Sequence, residues 1–205
     1  MGMLGPTDSL SCPIHRIGVA GPSGVGKTTL CRTLSERLAV PTVEIDSLYH
    51  GPEWTRRPSF EADVDRFTSA PEWVIEWGYN AVRSMLNERM DLLIWLDHPR
   101  WTVVRRVVAR TMVRRLRRVE LWNGNLEGPL WTFFTDPEHI VRWSWRVYGE
   151  YKAKIAELLA GPDGERLTVV RLSGQRQVDS WLAGPFAAAA ARSIREVPSS
   201  PPAEE

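Results

Sequence analysis

Gly21-Pro22-Ser23-Gly24-Val25-Gly26-Lys27-Thr28, followed by Thr29, space three glycines, a lysine and a hydroxyl as G-x-x-x-x-G-K-[ST]. The chemistry of this pattern is the capture of a polyphosphate. Successive backbone N–H groups must turn inward around an anion, a path that glycine follows without a Cβ clash. Lys27 can reach the β- and γ-phosphates, the Thr28 hydroxyl can ligate Mg²⁺, and a helix starting here would aim its N–H groups at the phosphates. Residues 21–29 are therefore the expected nucleotide site. No guanine-reading Asn/Thr-Lys-x-Asp pattern is present, so ATP is the expected nucleotide.

Two acids and a run of arginines are the next candidates. Asp46 opens Asp46-Ser47-Leu48-Tyr49-His50 behind a strand-like segment. It could act as base or orienting group for an acceptor hydroxyl, help hold Mg²⁺, or simply cap a turn. Glu76 ends an apolar run, where a strand-end acid could hold Mg²⁺ through water or stand as a solvated loop carboxylate; with Thr28 it is the expected metal site. Asp97, before His98-Pro99, reads equally well as a turn residue. Between Arg100 and Arg118 stand eight arginines and no acid, with Arg106, Arg110, Arg114 and Arg118 on one helical face. Such a face repels itself unless an anion visits it. It reads as a lid clamping phosphates, as a solvated helix or as a nucleic-acid surface, with Arg110 and Arg114 the expected clamps. Trp54, Arg56 and Arg57 lie where an acceptor-binding segment or a plain surface loop would fall.

Those residues need a frame, and the apolar pattern supplies one. Strands are predicted at Ile14–Ala20, Pro41–Ile45, Trp73–Glu76, Asp91–Leu96 and Leu167–Leu172, with a helix from Thr29 to Leu38 carrying Leu30, Leu34 and Leu38. Mostly apolar strands separated by helical stretches indicate an α/β fold with a five-stranded parallel sheet between helical layers. Ligands in such sheets bind beyond the carboxyl ends of the strands, where the phosphate loop, Asp46, Glu76, Asp97 and Ser173-Gly174 all fall.

The 205 residues suit a single domain over 14–186, with a lid at about 100–135, a flexible lead-in at 1–13 and an Ala-rich, then disordered, tail at 187–205. Lys plus Arg (26) balances Asp plus Glu (25), so net charge points to neither nucleic acid nor membrane. Cys12 and Cys31 have no metal or disulfide spacing, and no 18-residue apolar run or secretory signal appears, which predicts a cytoplasmic protein. Ten tryptophans make an aromatic-rich chain in which burial explains most of them.

The phosphate loop, Ile45-Asp46-Ser47-Leu48-Tyr49, Trp73-Val74-Ile75-Glu76, Trp95-Leu96-Asp97-His98-Pro99-Arg100 and Glu120-Leu121-Trp122-Asn123-Gly124-Asn125 resemble the adenylate-kinase-like P-loop proteins called DNA topology modulation proteins. The Leu-Trp-Asn-Gly-Asn run is the most specific of these. The resemblance implies a P-loop NTPase fold of the nucleoside monophosphate kinase kind with an arginine-rich helical lid, and ATP binding through the loop residues. Where that family reads Val-Ile-Asp-Gly-Asn-Tyr, this chain reads Val74-Ile75-Glu76-Trp77-Gly78-Tyr79, a departure that touches Mg²⁺ coordination and the acceptor pocket. Asp46-Ser47-Leu48-Tyr49 is also similar to the Asp-Ser-Phe-Tyr of uridine kinases. The expected function is transfer of the ATP γ-phosphoryl group to a nucleotide, nucleoside or other small acceptor by Lys27, Asp46, Arg110 and Arg114. The alternative is a regulatory ATP-binding protein whose basic helix contacts nucleic acid.

Overall fold

A computed structural model describes residues 3–116, 122–124 and 140–196. Five parallel strands, β1 (Arg16–Ala20), β2 (Thr42–Val43), β3 (Trp73–Glu76), β4 (Leu92–Leu96) and β5 (Thr168–Leu172), form one sheet in the order β2-β3-β1-β4-β5. The chain leaves β1 for the edge at β2, returns to β3 beside β1, and then crosses β1 to add β4 and β5 on the other side. That reversal leaves a crevice at the carboxyl end of β1, where ligands of open parallel sheets collect. The expected α/β architecture with a five-stranded parallel sheet is the observed one.

Alternation of side chains divides the interior in two. Ile17, Val19, Val74, Leu92, Ile94, Leu96, Val170 and Leu172 share one core with α1 (Lys27–Leu38), α5 (Arg100–Leu116), α8 (Gln175–Ala183) and α9 (Pro185–Glu196). Trp73, Ile75, Leu93, Trp95 and Val169 face the other core, against α3 (Phe60–Thr68), α4 (Arg83–Arg89) and α6 (Ile140–Ala160). With both faces covered, every strand position must be apolar or satisfied, which is why β4 reads as an unbroken apolar run. The short α2 (Ile45–Tyr49) and α7 (Asp163–Arg166) complete the helices of the described residues.

The second strand is shorter than its apolar run predicts. Ile45 opens α2 instead of ending β2, with the Ser47 hydroxyl donating to Glu44 O at 2.7 Å and Asp46 in the first turn, where the helix dipole favours an acid. Asp46 is therefore a helical residue held by local bonds. Strand three has the predicted bounds, and β1, β4 and β5 lose only residues at their starts.

Both ends of the chain are more integrated than their composition suggests. Within the segment read as a flexible lead-in, Leu4 bridges to Val170, its N–H donating to Val169 O at 2.8 Å while Arg171 N–H donates back to Leu4 O at 2.9 Å. Leu10 and Ile14 are buried in the first core. At the other end the alanine run is part of α9, with Phe186, Ala189 and Ala190 buried, and Arg192 Nη2 bonds Leu10 O at 2.5 Å. The part of the tail expected to be disordered, 197–205, and the lid stretches 117–121 and 125–139 lie outside the described residues. Leu10→Ala is expected to cost about 2–4 kcal/mol of stability in urea denaturation, as for any buried leucine; a flexible segment would show no change.

Candidate functional site

The loop from Gly21 to Gly26 connects β1 to α1 through three glycines at positive φ, as its spacing requires. Gly26 caps α1 at φ 113° with no side-chain cap, and no acid stands in the first turn. The first N–H groups of this helix are thus left for an anion. Gly24 has a second constraint besides its φ of +81°. A Cβ there would lie 2.3 Å from Val107 Cγ2, so α5 rests directly on the phosphate loop.

Beneath the loop, Glu76 at the end of β3 joins the two chemical residues. Its Oε1 accepts the Thr28 hydroxyl at 2.5 Å and its Oε2 lies 3.7 Å from Lys27 Nζ. The register that pairs Val19 with Glu76 brings the acid under the loop, and Trp77 N–H donates to Val19 O at 2.8 Å to lock that end of the sheet. Lys27 also donates to Pro22 O at 3.4 Å. Burial works against its charge, but Glu76, then Tyr151 and Asp46, outweigh burial and hold its pKa above the ordinary lysine value. Lys27 is therefore a fixed cation at neutral pH. Cys31, one turn further along α1, is pushed well above the usual thiol range by burial and by Glu76, and stays an inert thiol.

A cleft of about 1020 Å³ opens from this point, lined by Lys27, Thr28, Asp46, Glu76 and the arginines of α5. Arg106, Arg110 and Arg114 all line it, as one face of a helix should. Arg110 Nη2 donates to the Ser23 hydroxyl at 3.1 Å, and Arg106 Nη1 donates to Val25 O at 3.1 Å. Arg106 was named on that face but not among the expected clamps, because spacing alone does not show which arginine meets the loop. The side chain of Arg118 lies outside the described residues. Gln175, just after Ser173-Gly174, lines the cleft and accepts from Arg106 Nη2 at 3.3 Å.

Around α2 the structure sorts the residues expected to meet an acceptor. Asp46 Oδ1 accepts the Tyr79 hydroxyl at 2.6 Å. Arg56 pairs with Glu61 at 2.5 Å and Arg57 with Asp63 at 3.0 Å, so both are engaged along the segment leading into α3. Trp54 is partly exposed, its ring edge-on to His50 at 5.1 Å. Trp122 donates its indole N–H to Glu44 Oε2 at 2.8 Å, and the Asn123 amide donates to His50 O. This turn brings the Trp-Asn of the most family-specific run onto α2, a contact that the run signalled without showing its partner. Asp97 proves structural, paired with Arg171 at 2.5 Å while that guanidinium lies 5.0 Å from the Trp95 ring centroid. Trp77, the larger residue in the departure from the family pattern, is fully buried; its indole N–H donates to Asn87 Oδ1 at 2.8 Å, and Arg83 lies over its ring.

Backbone strain gathers here too. The described non-glycine residues at positive φ are Ala39, which ends α1, and Glu53, Trp54, Tyr79 and Asn123, all in the segments around α2. Each costs on the order of 1–3 kcal/mol, a cost typical of functional sites.

No protein-family model and no curated protein sequence matches the chain. The resemblance to DNA topology modulation proteins therefore rests on the residues that carry it. Among solved structures, a gluconokinase from Sinorhizobium meliloti 1021 is 20% identical, with 89% of this chain and 98% of that one covered at a TM-score of 0.48. Shikimate kinase from Acinetobacter baumannii, in complex with shikimate, is 16% identical, with 89% and 92% covered at 0.48. A deoxyadenosine kinase from M. mycoides with bound dATP is 12% identical, with 89% and 99% covered at 0.38. Likenesses with TM-scores below 0.5 carry no argument about activity, and the α/β fold stands on strand order and phosphate loop.

His98, buried at the base of the lid, gives the site a pH signature. Burial, then the neighbouring Arg106, lower its pKa below the ordinary histidine value, against the pull of Asp97. The unfolded chain thus binds this proton more readily than the folded one. Stability from this group is complete above the unfolded value of about 6.5 and is lost as pH falls below it toward the folded pKa. Denaturant midpoints measured from pH 7.5 to 5 are expected to fall through this window in the wild type and to fall less in His98→Gln.

Proposed function

We propose that this chain is an ATP-dependent phosphotransferase acting on the hydroxyl of a small acceptor: a nucleotide, a nucleoside or another small metabolite. The observation that carries the reading is the cleft in which a buried Lys27–Glu76–Thr28 cluster, Asp46 and the arginines of α5 meet. Residues 21–29 would hold the triphosphate, with Lys27 on its β- and γ-phosphates. The acceptor oxygen bonds to the γ-phosphorus as the bridging P–O bond to ADP breaks. ADP leaves with that electron pair, and Asp46 takes the acceptor's proton before passing it to water. Arg106, Arg110 and Arg114 offset the negative charge of the triphosphate and of the transferring group.

The donor set under the loop fits Mg²⁺. Thr28 and Glu76 present hydroxyl and carboxylate oxygens, the ligands this hard cation takes. When bound, Mg²⁺ supplies charge neutralisation on the β- and γ-phosphates. The resemblance to the DNA topology modulation proteins agrees with ATP binding. The nucleic-acid reading of the basic helix gains no support, because Arg106, Arg110 and Arg114 line the cleft. No helix among the described residues is long and apolar enough to cross a membrane.

The test is ADP release from Mg-ATP by the purified protein across a panel of nucleosides, nucleoside monophosphates and small hydroxyl metabolites. Release dependent on one acceptor is expected, reduced roughly 100-fold or more in Lys27→Ala. Acceptor-dependent release that survives Lys27→Ala unchanged would sink the proposal.

A further inference from the structure

Tyr79 is placed at considerable structural cost. It follows Gly78 at φ 53° and ψ 119°, a backbone conformation that disfavours a large side chain. Its ring is fixed on two sides, stacked on Tyr49 at 4.1 Å and edge-on to Phe60 at 5.2 Å. The outcome of this arrangement is a short hydrogen bond from the phenol to Asp46 Oδ1 at 2.6 Å. Burial, then Asp46, push the phenol above the ordinary tyrosine range, so its proton stays in place as a donor.

The polarity of the next contact follows. Tyr79 has one proton, and the carboxylate takes it. Towards His50 Nε2, 3.4 Å away, the phenol oxygen can then only accept, which assigns a proton to Nε2. The imidazole is held by Tyr49 at 4.9 Å, Trp54 at 5.1 Å and Trp122 at 6.1 Å, and its backbone carbonyl receives the Asn123 amide. A directed chain runs from His50 through Tyr79 to Asp46, with the Trp122-Asn123 turn closing its far end.

The geometry points to Tyr79 as the positioning residue of the site: its hydroxyl occupies Asp46 Oδ1 and fixes the carboxylate so that Oδ2 is left for the acceptor. Tyr79 touches neither nucleotide nor acceptor in this scheme and acts through Asp46. The inference rests on the reading of Asp46 as the group that receives the acceptor's proton. It explains why strain is tolerated at 79: a base whose second oxygen is already occupied presents one oxygen in one orientation to the incoming hydroxyl.

Tyr79→Phe removes the hydroxyl and keeps the ring contacts, and Asp46→Asn removes the carboxylate. In the uncomplexed wild-type protein, proton NMR is expected to show a slowly exchanging, downfield hydroxyl signal that both substitutions abolish. Turnover is read as ADP release with the acceptor that the panel selects or, without one, with water. Tyr79→Phe is expected to lower kcat about tenfold, the rate equivalent of one lost hydrogen bond, with the KM for Mg-ATP unchanged. The proposal is overturned if the wild type lacks that signal or keeps it in Asp46→Asn. It is also overturned if Tyr79→Phe turns over at the wild-type rate while Asp46→Asn does not. Full turnover by Asp46→Asn would instead locate the fault in the reading of Asp46, and the inference would fall with it.

Discussion

The site is organised around one buried carboxylate. Glu76 ends the strand beside β1 and, from there, takes the Thr28 hydroxyl and faces the Lys27 ammonium. An ammonium with its surroundings removed from water is expensive, and what offsets that expense must come from a neighbour of fixed position. The parallel register of β1 and β3 provides it: wherever Val19 goes, Glu76 goes, and the loop that follows β1 closes over both. A glutamate reaches further than an aspartate from the same backbone, so one residue can serve both loop residues. Strand pairing, loop conformation and the charge beneath the loop are therefore one problem with one solution.

Much of this was legible beforehand. The phosphate loop declares itself because no other arrangement needs glycine, lysine and threonine at those intervals, and β3 and β4 because strands buried on both faces are short apolar runs between turns. The arginine face was legible too, since helical periodicity puts 106, 110 and 114 together. What failed to show follows a different pattern. The loss of Ile45 from β2 depends on a hydroxyl-to-carbonyl bond by Ser47, a local competition that apolar periodicity does not register. The employment of Arg56 and Arg57 by Glu61 and Asp63 depends on the turn into α3. The packing of residues 4–14 depends on a sheet edge that exists only after β5, more than 150 residues later, has joined.

The acceptor side was the least legible part for a physical reason. Its residues come from α2, from the segment after β3 and from the turn at Trp122–Gly124, and they meet through aromatic stacking, which has no sequence period. Trp122 and Asn123 stood out only as part of a family-like run, and Tyr79 only as the residue after a glycine. Positive φ at Glu53, Trp54, Tyr79 and Asn123 could not be foreseen from residue type, since none of them is glycine.

The sheet's outer margins carry a consequence of another kind. Strand β5 would present a row of unpaired N–H and C=O groups to solvent were it not for Leu4, which engages Val169 and Arg171 from the side. At the opposite margin β2 is only two residues long before the chain turns into α2, leaving little to pair with. Neither margin invites another chain. Trimming the first dozen residues would thus do more than shorten the protein: it would bare a strand edge beside the apolar surface that Leu10 now covers, turning a self-contained sheet into a template for edge-to-edge aggregation.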